Sequence, residues 1–442
     1  MTAAFLLVTL MCSFPLASFG ESWNRDLGAV GDSAVVEGAV EASAKTIEAN
    51  TAMAVVSGSW PHFRGPERDG KTPSRIPLLS DWPKAGPPVL WEAPVGPGYS
   101  GLAVAENRLF TAYNRGEEEV LVALDAGSGK ELWTLTLGKA YTDNMGDGPR
   151  ATPAIAGSMV YALSARGLVH GVSADSGELR WTVDLIQRFG ARFPLGASSQ
   201  PLVLADRLLV DAGGPEGKSI VALSLANGET LWTAGNDSSG YSQAIPLVID
   251  EVEQAVFFTA TKLQSVDPAS GEILWERPWK TDWDVNAATP IFVEPNRLFV
   301  SSGYDTGSAL LEISRSGAIW KVSEVWRSRR LKNQFSSSVL VGDHLYGFDN
   351  KIFKCLELST GRERWKARGF AHGSLVYGDG DLYVLGEEGR LALVEATPES
   401  YREKASVEIF NSRTWTPPTL IDGRLFVRDE ARLLSLDVRG AS

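Results

Sequence analysis

The chain has 442 residues, of which 44% are hydrophobic and 22% charged, a composition typical of a soluble globular protein. Its formal net charge is −12, which argues against a nucleic-acid partner because neutralising phosphates requires clustered Lys and Arg. The two cysteines, Cys12 and Cys355, cannot form a Cys-x-x-Cys metal framework, and the four histidines are scattered. No metal site is therefore expected from these residue types.

Residues 1–20 are predicted to be a signal peptide. An apolar run over residues 5–11 is followed by the small residues Ala17 and Ser18 and by polar sequence from Glu21. Because the run is too short to span a bilayer, we expect an exported protein, periplasmic or extracellular, without a transmembrane span in the mature chain. No Lys or Arg precedes the run, so a misplaced start codon or a buried segment stays open as an alternative.

Residues 21–58 predict a flexible acidic linker. The segment consists largely of Ala, Val, Gly, Ser and Glu, with little aromatic content. Such a sequence cannot bury enough apolar area to offset the entropy of ordering the chain. The folded domain is therefore expected to cover residues 59–442.

A recurring phrase dominates the rest of the sequence. It consists of an apolar strand, a polar corner with Gly, and a second strand carrying Trp; the first copy contains Asp125, Gly129 and Trp133. The corner residues accept the left-handed backbone of a tight turn, so each copy predicts a β-hairpin. Repetition at roughly 40 to 50 residues is typical of solenoids and propellers. The tryptophans of the later copies are Trp181, Trp232, Trp275, Trp320 or Trp326, and Trp365, and a seventh copy over residues 391–410 has none.

Each unit also contains two earlier strand signals. A short Pro- or Ser-led apolar strand precedes a longer one, and the longer strands begin at Arg108, Met159, Arg207, Ala255, Arg297, His344, Asp381 and Arg424. Four strands per unit, repeated eight times, predict an all-β, eight-bladed β-propeller of four-stranded blades. We expect the repeated tryptophans to pack between blades rather than to contact a ligand.

The two ends of the repeat predict how the ring closes. The last unit stops after its third strand, at Asp437, and the missing fourth strand lies near the other end of the domain, over residues 88–93. Trp91 in this segment matches the Trp of the repeat. An N-terminal strand that completes the C-terminal blade removes two exposed sheet edges, which a solenoid would not require.

The phrase around Asp125 and Trp133 resembles the pyrroloquinoline-quinone-like propeller repeat, over about residues 60–437. That family includes quinoprotein alcohol dehydrogenases and the propeller lipoprotein of the outer-membrane β-barrel assembly machinery. Residues 60–70, 146–153 and 302–309 are similar to signatures of a large group of exported bacterial members. The resemblance implies pyrroloquinoline quinone with calcium as a cofactor in the dehydrogenases. Those enzymes carry a vicinal disulfide, which a single mature cysteine cannot form, and the chain has no haem-attachment motif.

Candidate binding residues lie in the loops that join the outer strand of one blade to the inner strand of the next. These loops meet around one mouth of a propeller and are chemically rich here. They cover residues 138–151, 186–199, 234–243, 278–288, 327–335, 367–373 and 411–416.

Three groups of side chains stand out near this mouth. Asp143, Asp147 and Arg150 predict either an acidic site with a guiding arginine or a Gly-Asp-Gly turn with a local salt bridge. Asp282, Asp284 and Asn286 offer oxygen ligands for calcium, or form a solvated strand end. The third group predicts an aromatic rim for a sugar or peptide, or else core packing; its members are Tyr241, Trp283, Tyr304 and Trp415.

The sequence contains no Gly-x-Ser-x-Gly, His-Glu-x-x-His or phosphate-loop motif. We therefore expect a non-catalytic scaffold that binds a protein or an envelope polymer through the mouth and the blade edges, where a peptide strand can be added. The first alternative is a pyrroloquinoline-quinone-dependent oxidoreductase. The second alternative is a carbohydrate-binding protein.

Overall fold

The computed structural model of the protein describes residues 58–73 and 76–440. Within them, thirty-two strands form eight antiparallel four-stranded sheets arranged as an eight-bladed β-propeller, which confirms the predicted fold. The predicted signal peptide, with Cys12, and residues 21–57 of the predicted linker lie outside the described residues. Both stay predictions.

The first strand in the chain, β1 (Val89–Pro94), belongs to the last blade. Blades 1 to 4 consist, from the innermost strand outward, of β2 (Ala103–Ala105), β3 (Arg108–Arg115), β4 (Glu118–Asp125) and β5 (Glu131–Lys139); β6 (Ala154–Ala156), β7 (Met159–Leu163), β8 (Leu168–Ser173) and β9 (Leu179–Asp184); β10 (Leu202–Leu204), β11 (Arg207–Gly214), β12 (Lys218–Ser224) and β13 (Thr230–Ala234); and β14 (Ile245–Ile249), β15 (Val252–Phe258), β16 (Lys262–Val266) and β17 (Ile273–Pro278).

Blades 5 to 8 follow the same order. They consist of β18 (Ile291–Val293), β19 (Arg297–Ser302), β20 (Gly307–Ser316) and β21 (Ile319–Ser328); β22 (Val339–Val341), β23 (His344–Asp349), β24 (Ile352–Glu357) and β25 (Glu363–Ala367); β26 (Gly373–Gly378), β27 (Asp381–Gly386), β28 (Arg390–Glu395) and β29 (Glu403–Glu408); and β30 (Thr419–Ile421), β31 (Arg424–Arg428), β32 (Arg432–Asp437) and β1.

Burial follows from the position of each strand within its blade. The two middle strands are almost completely buried, as in β4, because each blade packs between two neighbours and covers both faces of the strand. The outer strands alternate between half-buried and exposed residues, as in β5. The hydrophobic core is therefore a ring of clusters at the blade boundaries rather than one central mass.

The ring closes as the sequence predicted. Strand β1 pairs antiparallel with β32, with Trp91 opposite Ser435 and Pro94 opposite Arg432. Trp91 is 8% exposed, and its indole Nε1 donates a hydrogen bond of 3.0 Å to the carbonyl oxygen of Ala126 in blade 1. One side chain thus joins the last blade to the first.

Other repeat tryptophans form the same seam between consecutive blades. In each case the indole Nε1 donates to a backbone carbonyl in the corner of the next blade, at 2.7 to 3.0 Å; the donors are Trp133, Trp181, Trp232, Trp326 and Trp365. Trp326, rather than Trp320, is therefore the seam residue of blade 5. Trp275 departs from the pattern because it donates to the side chain of Gln254 in its own blade.

The corner glycine has a physical reason at these seams. Gly129 has a φ of 73°, and a Cβ added to it would lie 2.5 Å from the ring of Trp91. Any other residue would therefore combine a strained left-handed backbone with a steric clash. The Gly of the recurring phrase in one blade therefore contacts the Trp of the phrase in the preceding blade.

Blade 7 has no Trp in its outer strand, and a residue from outside the repeat takes that place. Trp82 is buried and its ring lies 6.0 Å from that of Tyr383 in β27. In blade 8 the corresponding pair is Trp91 with Phe426, at 5.8 Å. The segment before β1 thus supplies the aromatic ring that β29 lacks.

A segment of the chain crosses the central channel. We call residues 60–72 the plug. Trp60 exchanges backbone hydrogen bonds with Val104 of blade 1, and Tyr377 of blade 7 exchanges them with residues 70 and 72 at the other end. Between these points Arg64 donates to the carbonyl oxygen of Ser338, next to blade 6. The plug thus crosses the channel and contacts the innermost strands of blades 1 and 7.

Helical structure is minor in the described residues. The helix α1 (Leu185–Phe189) follows β9, and Asp184 caps it by accepting a hydrogen bond from the backbone N–H of Gln187 at 2.9 Å. No helix among the described residues has the length and apolar character needed to cross a membrane.

Candidate functional site

A cavity of about 920 Å³, open to solvent, lies at the mouth predicted from the loops. We call it the mouth cavity. Loops from blades 1 to 6 and blade 8 contribute side chains to it, and Phe63 of the plug lies among them. Six of the lining side chains are aromatic, namely Phe63, Tyr99, Tyr241, Tyr304, Phe335 and Trp415.

Four of the eight predicted site residues line this cavity: Arg150, Tyr241, Tyr304 and Trp415. They come from four different loops, so that the ring of blades brings together residues that are far apart in sequence. The polar side chains beside them are Ser198, Gln243 and Gln334. The lining residues include no carboxylate.

Asp143 and Arg150 form a local ion pair within one loop. Arg150 Nη2 lies 3.0 and 2.9 Å from the two carboxylate oxygens of Asp143 and also donates to the carbonyl oxygen of Gly146. Tyr141 donates to Asp143 at 2.7 Å, and its ring lies 4.8 Å from the Arg150 guanidinium. Burial, followed by the hydrogen bond to Asp143, raises the pKa of Tyr141 to about 12. This is the turn with a local salt bridge, and Asp147 is exposed beside it, outside the lining.

Asn286 does not face the mouth cavity. It is 0% exposed, and its amide Nδ2 donates to the carbonyl oxygens of Thr259, Ala260 and Trp279. Its amide oxygen accepts a hydrogen bond from Ser302 at 2.6 Å. Because these contacts fix the loop to the blade, the side chain has a structural position and is not available as a calcium ligand.

The residues around Asn286 do not form a ligand set either. Asp282 and Asp284 are exposed, and Asp284 Oδ1 lies 3.8 Å from the Lys280 ammonium. The described part of the chain contains no group of three His, Cys, Asp or Glu side chains that could hold a metal. Trp283 is 74% exposed and lies outside the cavity lining, so the aromatic rim consists of other residues.

Trp415 is the centre of the aromatic wall. Its ring centroid lies 5.0 Å from that of Tyr99 and 4.7 Å from that of Phe335, and the Arg413 guanidinium lies 4.4 Å from its centre. Its Nε1 donates to Glu387 at 2.8 Å. The indole is therefore held by contacts on its face and on its edge.

Glu387 connects this wall to blade 7. Its second carboxylate oxygen lies 3.0 Å from Nδ1 of His372, and the His372 ring packs 5.1 Å from that of Phe335. Partial burial alone would raise the pKa of Glu387, but the hydrogen bonds from His372 and Trp415 outweigh it and lower that pKa. The carboxylate thus stays ionised and positions the two rings.

Sequence reasoning missed Phe63, Tyr99 and Phe335. Phe335 ends a predicted mouth loop, but a single Phe there has no distinguishing pattern. Tyr99 follows the closing strand, so its loop belongs to the same ring as the others. The only signal for Phe63 was the similarity of residues 60–70 to exported members of the family, which gave no position in the fold.

The residues present do not fit a quinone cofactor with calcium. The described residues contain no group of three His, Cys, Asp or Glu side chains that could hold a metal ion, and the amide of Asn286 is hydrogen-bonded to the backbone. Cys355 is buried in β24, and burial raises the pKa of its thiol to about 12. The plug crosses the channel, and its Phe63 lines the mouth cavity.

Comparison with known proteins agrees with the fold. The sequence matches the family described as "Outer membrane protein assembly factor BamB" over residues 116–367, more than half of the chain. The BamB of Shewanella oneidensis is 24% identical over 311 residues, which cover 67% of this chain and 70% of that protein. The BamB of Yersinia pestis is 22% identical over 52% of this chain and 56% of its own length.

Two solved structures show the same architecture. BamB from Moraxella catarrhalis superposes with a TM-score of 0.55 at 15% identity, over 78% of this chain and 99% of that one. The quinohemoprotein alcohol dehydrogenase ADHIIG from Pseudomonas putida HK5 gives 0.61 at 11% identity, over 90% and 82%. At these identities the likeness concerns the fold alone. The chain belongs to the family of pyrroloquinoline-quinone-like repeat propellers that is described as outer membrane protein assembly factor BamB.

Proposed function

We propose that this chain is an exported, non-catalytic scaffold for outer-membrane protein assembly, which binds an extended segment of a partner protein in its mouth cavity. The observation that carries the proposal is the cavity itself, with its six aromatic side chains. Aromatic residues provide large contact area at a small cost in conformational entropy and dominate protein interfaces for that reason.

The chemistry of the lining supports binding rather than catalysis. The described lining has no carboxylate, cysteine or histidine. Glu387, which contacts Trp415, is engaged by two hydrogen bonds and has a lowered pKa, the opposite of what a general acid requires. The guanidinium of Arg150 is already paired with Asp143.

The outer strands offer a second attachment surface. In several blades an apolar residue near the seam Trp is about half exposed on the edge strand, for example Leu132 in β5 and Leu231 in β13. An edge strand has unpaired backbone groups, so a partner strand can add to it by β-augmentation. We propose that such edges contribute to binding while the mouth determines which segment is bound.

Photo-crosslinking from the mouth tests this function. Met145 lines the cavity and is 39% exposed, so a benzoyl-phenylalanine introduced there in the full-length chain reports on the occupant in the native cells. A matched probe at Ile319, which is 74% exposed on the blade 5 hairpin, is the control. We expect a discrete adduct with an envelope protein from Met145 only, lost when Trp415→Ala is added. Equal adducts from both positions, or none from Met145, would refute the proposal.

The two alternatives make different predictions. A quinone-dependent enzyme would bind pyrroloquinoline quinone saturably in a calcium-dependent titration. A carbohydrate-binding protein would retain members of a glycan panel and lose them in Trp415→Ala. We expect neither result. For the quinone the reason is that no metal-ligand group for calcium is present among the described residues.

A further inference from the structure

A band of cationic side chains borders the mouth cavity on the rim of blades 5 and 6. Two shallow surface depressions form it, one beside each blade. We call the band the cationic strip. Its cationic members are Lys280, Arg327 and Arg329 in the first depression and Lys332, Lys351 and Arg368 in the second.

The cationic strip is continuous with the mouth cavity. Tyr304 lines both the cavity and the first depression, and Gln334 lines both the cavity and the second. A bound chain that occupies the cavity can therefore leave it over either residue and lie directly on the strip. Arg327 is fixed in place by stacking, with its guanidinium 4.2 Å from the centre of the Trp279 ring.

Carboxylates within or beside the strip lie near four of its six cations. These pairs are Lys280 with Asp284 at 3.8 Å, Arg327 with Glu324 at 2.9 Å, and both Arg329 and Lys332 with Asp305. Six cationic but three acidic side chains line the two depressions, on a chain whose net charge is −12. Asp349 is held by the buried Lys354 at 2.7 Å. Asp305 lies 3.1 Å from Lys332 and 4.0 Å from Arg329.

Lys332 and Arg329 hold the pKa of Asp305 below its usual value, so these two cations are already paired. The unpaired positive charge of the strip lies on Lys351 and Arg368. Among the residues that the structure describes, neither Lys351 nor Arg368 forms an ion pair with a carboxylate. A cation that has no carboxylate partner in the free protein can form an ion pair with a carboxylate of a bound protein without breaking an existing contact.

We propose that the segment bound in the mouth cavity is acidic beside an aromatic or aliphatic anchor residue, and that the cationic strip binds its carboxylates. This inference rests on the proposed function and specifies the chemistry of the partner. The aromatic wall takes the anchor, while the strip selects for charge and sets the direction in which the segment leaves the cavity.

The strip fits a peptide better than an anionic membrane. Asp282, Asp305 and Asp349 interrupt it, so it matches separate carboxylates on a flexible chain rather than a continuous sheet of phosphates. The net charge of −12 also repels an anionic bilayer from the molecule as a whole. A peptide approaches over a short distance, where only the local positive charge acts.

Fluorescence anisotropy with three synthetic peptides tests the inference. Each labelled peptide carries two phenylalanines followed by a run of one residue type, which is Glu, Gln or Lys. We expect the Glu peptide to bind the full-length chain about tenfold more tightly than the Gln peptide, with an affinity that falls as salt is added. The Lys peptide is expected to bind weakest.

Two charge-matched variants locate the effect. The strip variant replaces three exposed cations by Gln, at Arg329, Lys351 and Arg368. The control variant makes the same change at three exposed cations outside the strip and the cavity lining, Lys84, Lys130 and Lys321.

The strip variant should lose the preference for Glu over Gln, and the control variant should retain it. Equal binding of the Glu and Gln peptides, a preference that survives in the strip variant, no binding of the Glu peptide, or binding of phosphatidylglycerol vesicles through the strip would each overturn the inference. If the Glu and Gln peptides bind equally and both are lost in Trp415→Ala, the charge inference fails while the scaffold function stands.

Discussion

The ring closure makes a quantitative prediction for Trp91→Ala. Trp91 is almost completely buried between the last blade and the first, where it packs on Phe426 and on Gly129. Truncating it leaves a cavity at the seam between the last blade and the first. In the other blades all four strands follow one another along the chain, whereas β1 is joined to β32 only by hydrogen bonds and side-chain contacts.

The expected cost follows from the contacts that are lost. A Trp buries about 150–250 Å², and truncation of a buried Trp to Ala lowers the free energy of unfolding by about 3–5 kcal/mol. The lost hydrogen bond leaves no unsatisfied acceptor, because the carbonyl oxygen of Ala126 keeps a second donor, Arg424 Nη1, at 2.9 Å. Trp91→Phe is therefore expected to cost about 1 kcal/mol for the hydrogen bond itself.

Trp133 provides a matched control at an internal seam. Its Nε1 donates to the carbonyl oxygen of Ala174, to which no second donor is described. Trp133→Phe leaves that carbonyl without its partner, so it should cost more than Trp91→Phe, by about 1–2 kcal/mol. Urea unfolding followed by circular dichroism measures all four variants, namely Trp91→Ala, Trp91→Phe, Trp133→Ala and Trp133→Phe.

Two results would refute this reasoning. If Trp91→Ala lowers the free energy of unfolding by less than 1 kcal/mol, the indole does not hold the seam. If the two Phe variants rank in the opposite order, the second donor at Ala126 does not compensate for the lost indole N–H.

Three further predictions concern single buried groups. Burial raises the pKa of Glu119 from 4.5 to about 7, so between these pH values the folded protein holds a proton that the unfolded chain has released. The free energy of unfolding should therefore fall by about 3 kcal/mol from pH 4.5 to 7. Urea midpoints measured across that range should show this fall in the wild-type chain but not in Glu119→Gln, and its absence in the wild-type chain would contradict the raised pKa. Trp82→Ala should cost about 3 kcal/mol or more, measured as a lower urea midpoint, because its ring packs on Tyr383 where blade 7 lacks its own Trp; an unchanged midpoint would show that the seam does not need it. Burial raises the pKa of the Cys355 thiol to about 12. In a Cys12→Ser variant of the full-length chain, this thiol should therefore react with Ellman's reagent only after unfolding. Immediate reaction of the native protein would disprove its burial.

The architecture was predictable from the sequence because its determinants are local and repeated. A tight turn needs residues that accept a left-handed backbone, and a hairpin needs alternating strands, so each copy of the phrase specifies its own unit. The closure by residues 88–93 was also readable, since the last unit lacked one strand and Trp91 marked the matching one. The structure confirms both predictions.

The site was only partly predictable, because its residues meet through the ring and not along the chain. The sequence predicted Tyr241, Tyr304 and Trp415 as parts of an aromatic rim at the mouth, and the structure brings them to one cavity. The sequence could not show that the buried Asn286 side chain donates to three backbone carbonyl oxygens, or that the Trp283 side chain is exposed to solvent. The direction of a loop side chain depends on neighbours from other blades.

The sequence by itself determined the repeat, the number of blades and the strand that closes the ring, because each depends on hydrogen bonds and turns within a short stretch of chain. Only the tertiary structure decided that residues 60–72 cross the channel, that Trp82 completes blade 7, and that cations of blades 5 and 6 border the mouth. These features come from contacts between segments far apart in sequence. No local pattern specifies such a contact, since it forms only once the ring of blades has fixed the distance between its partners.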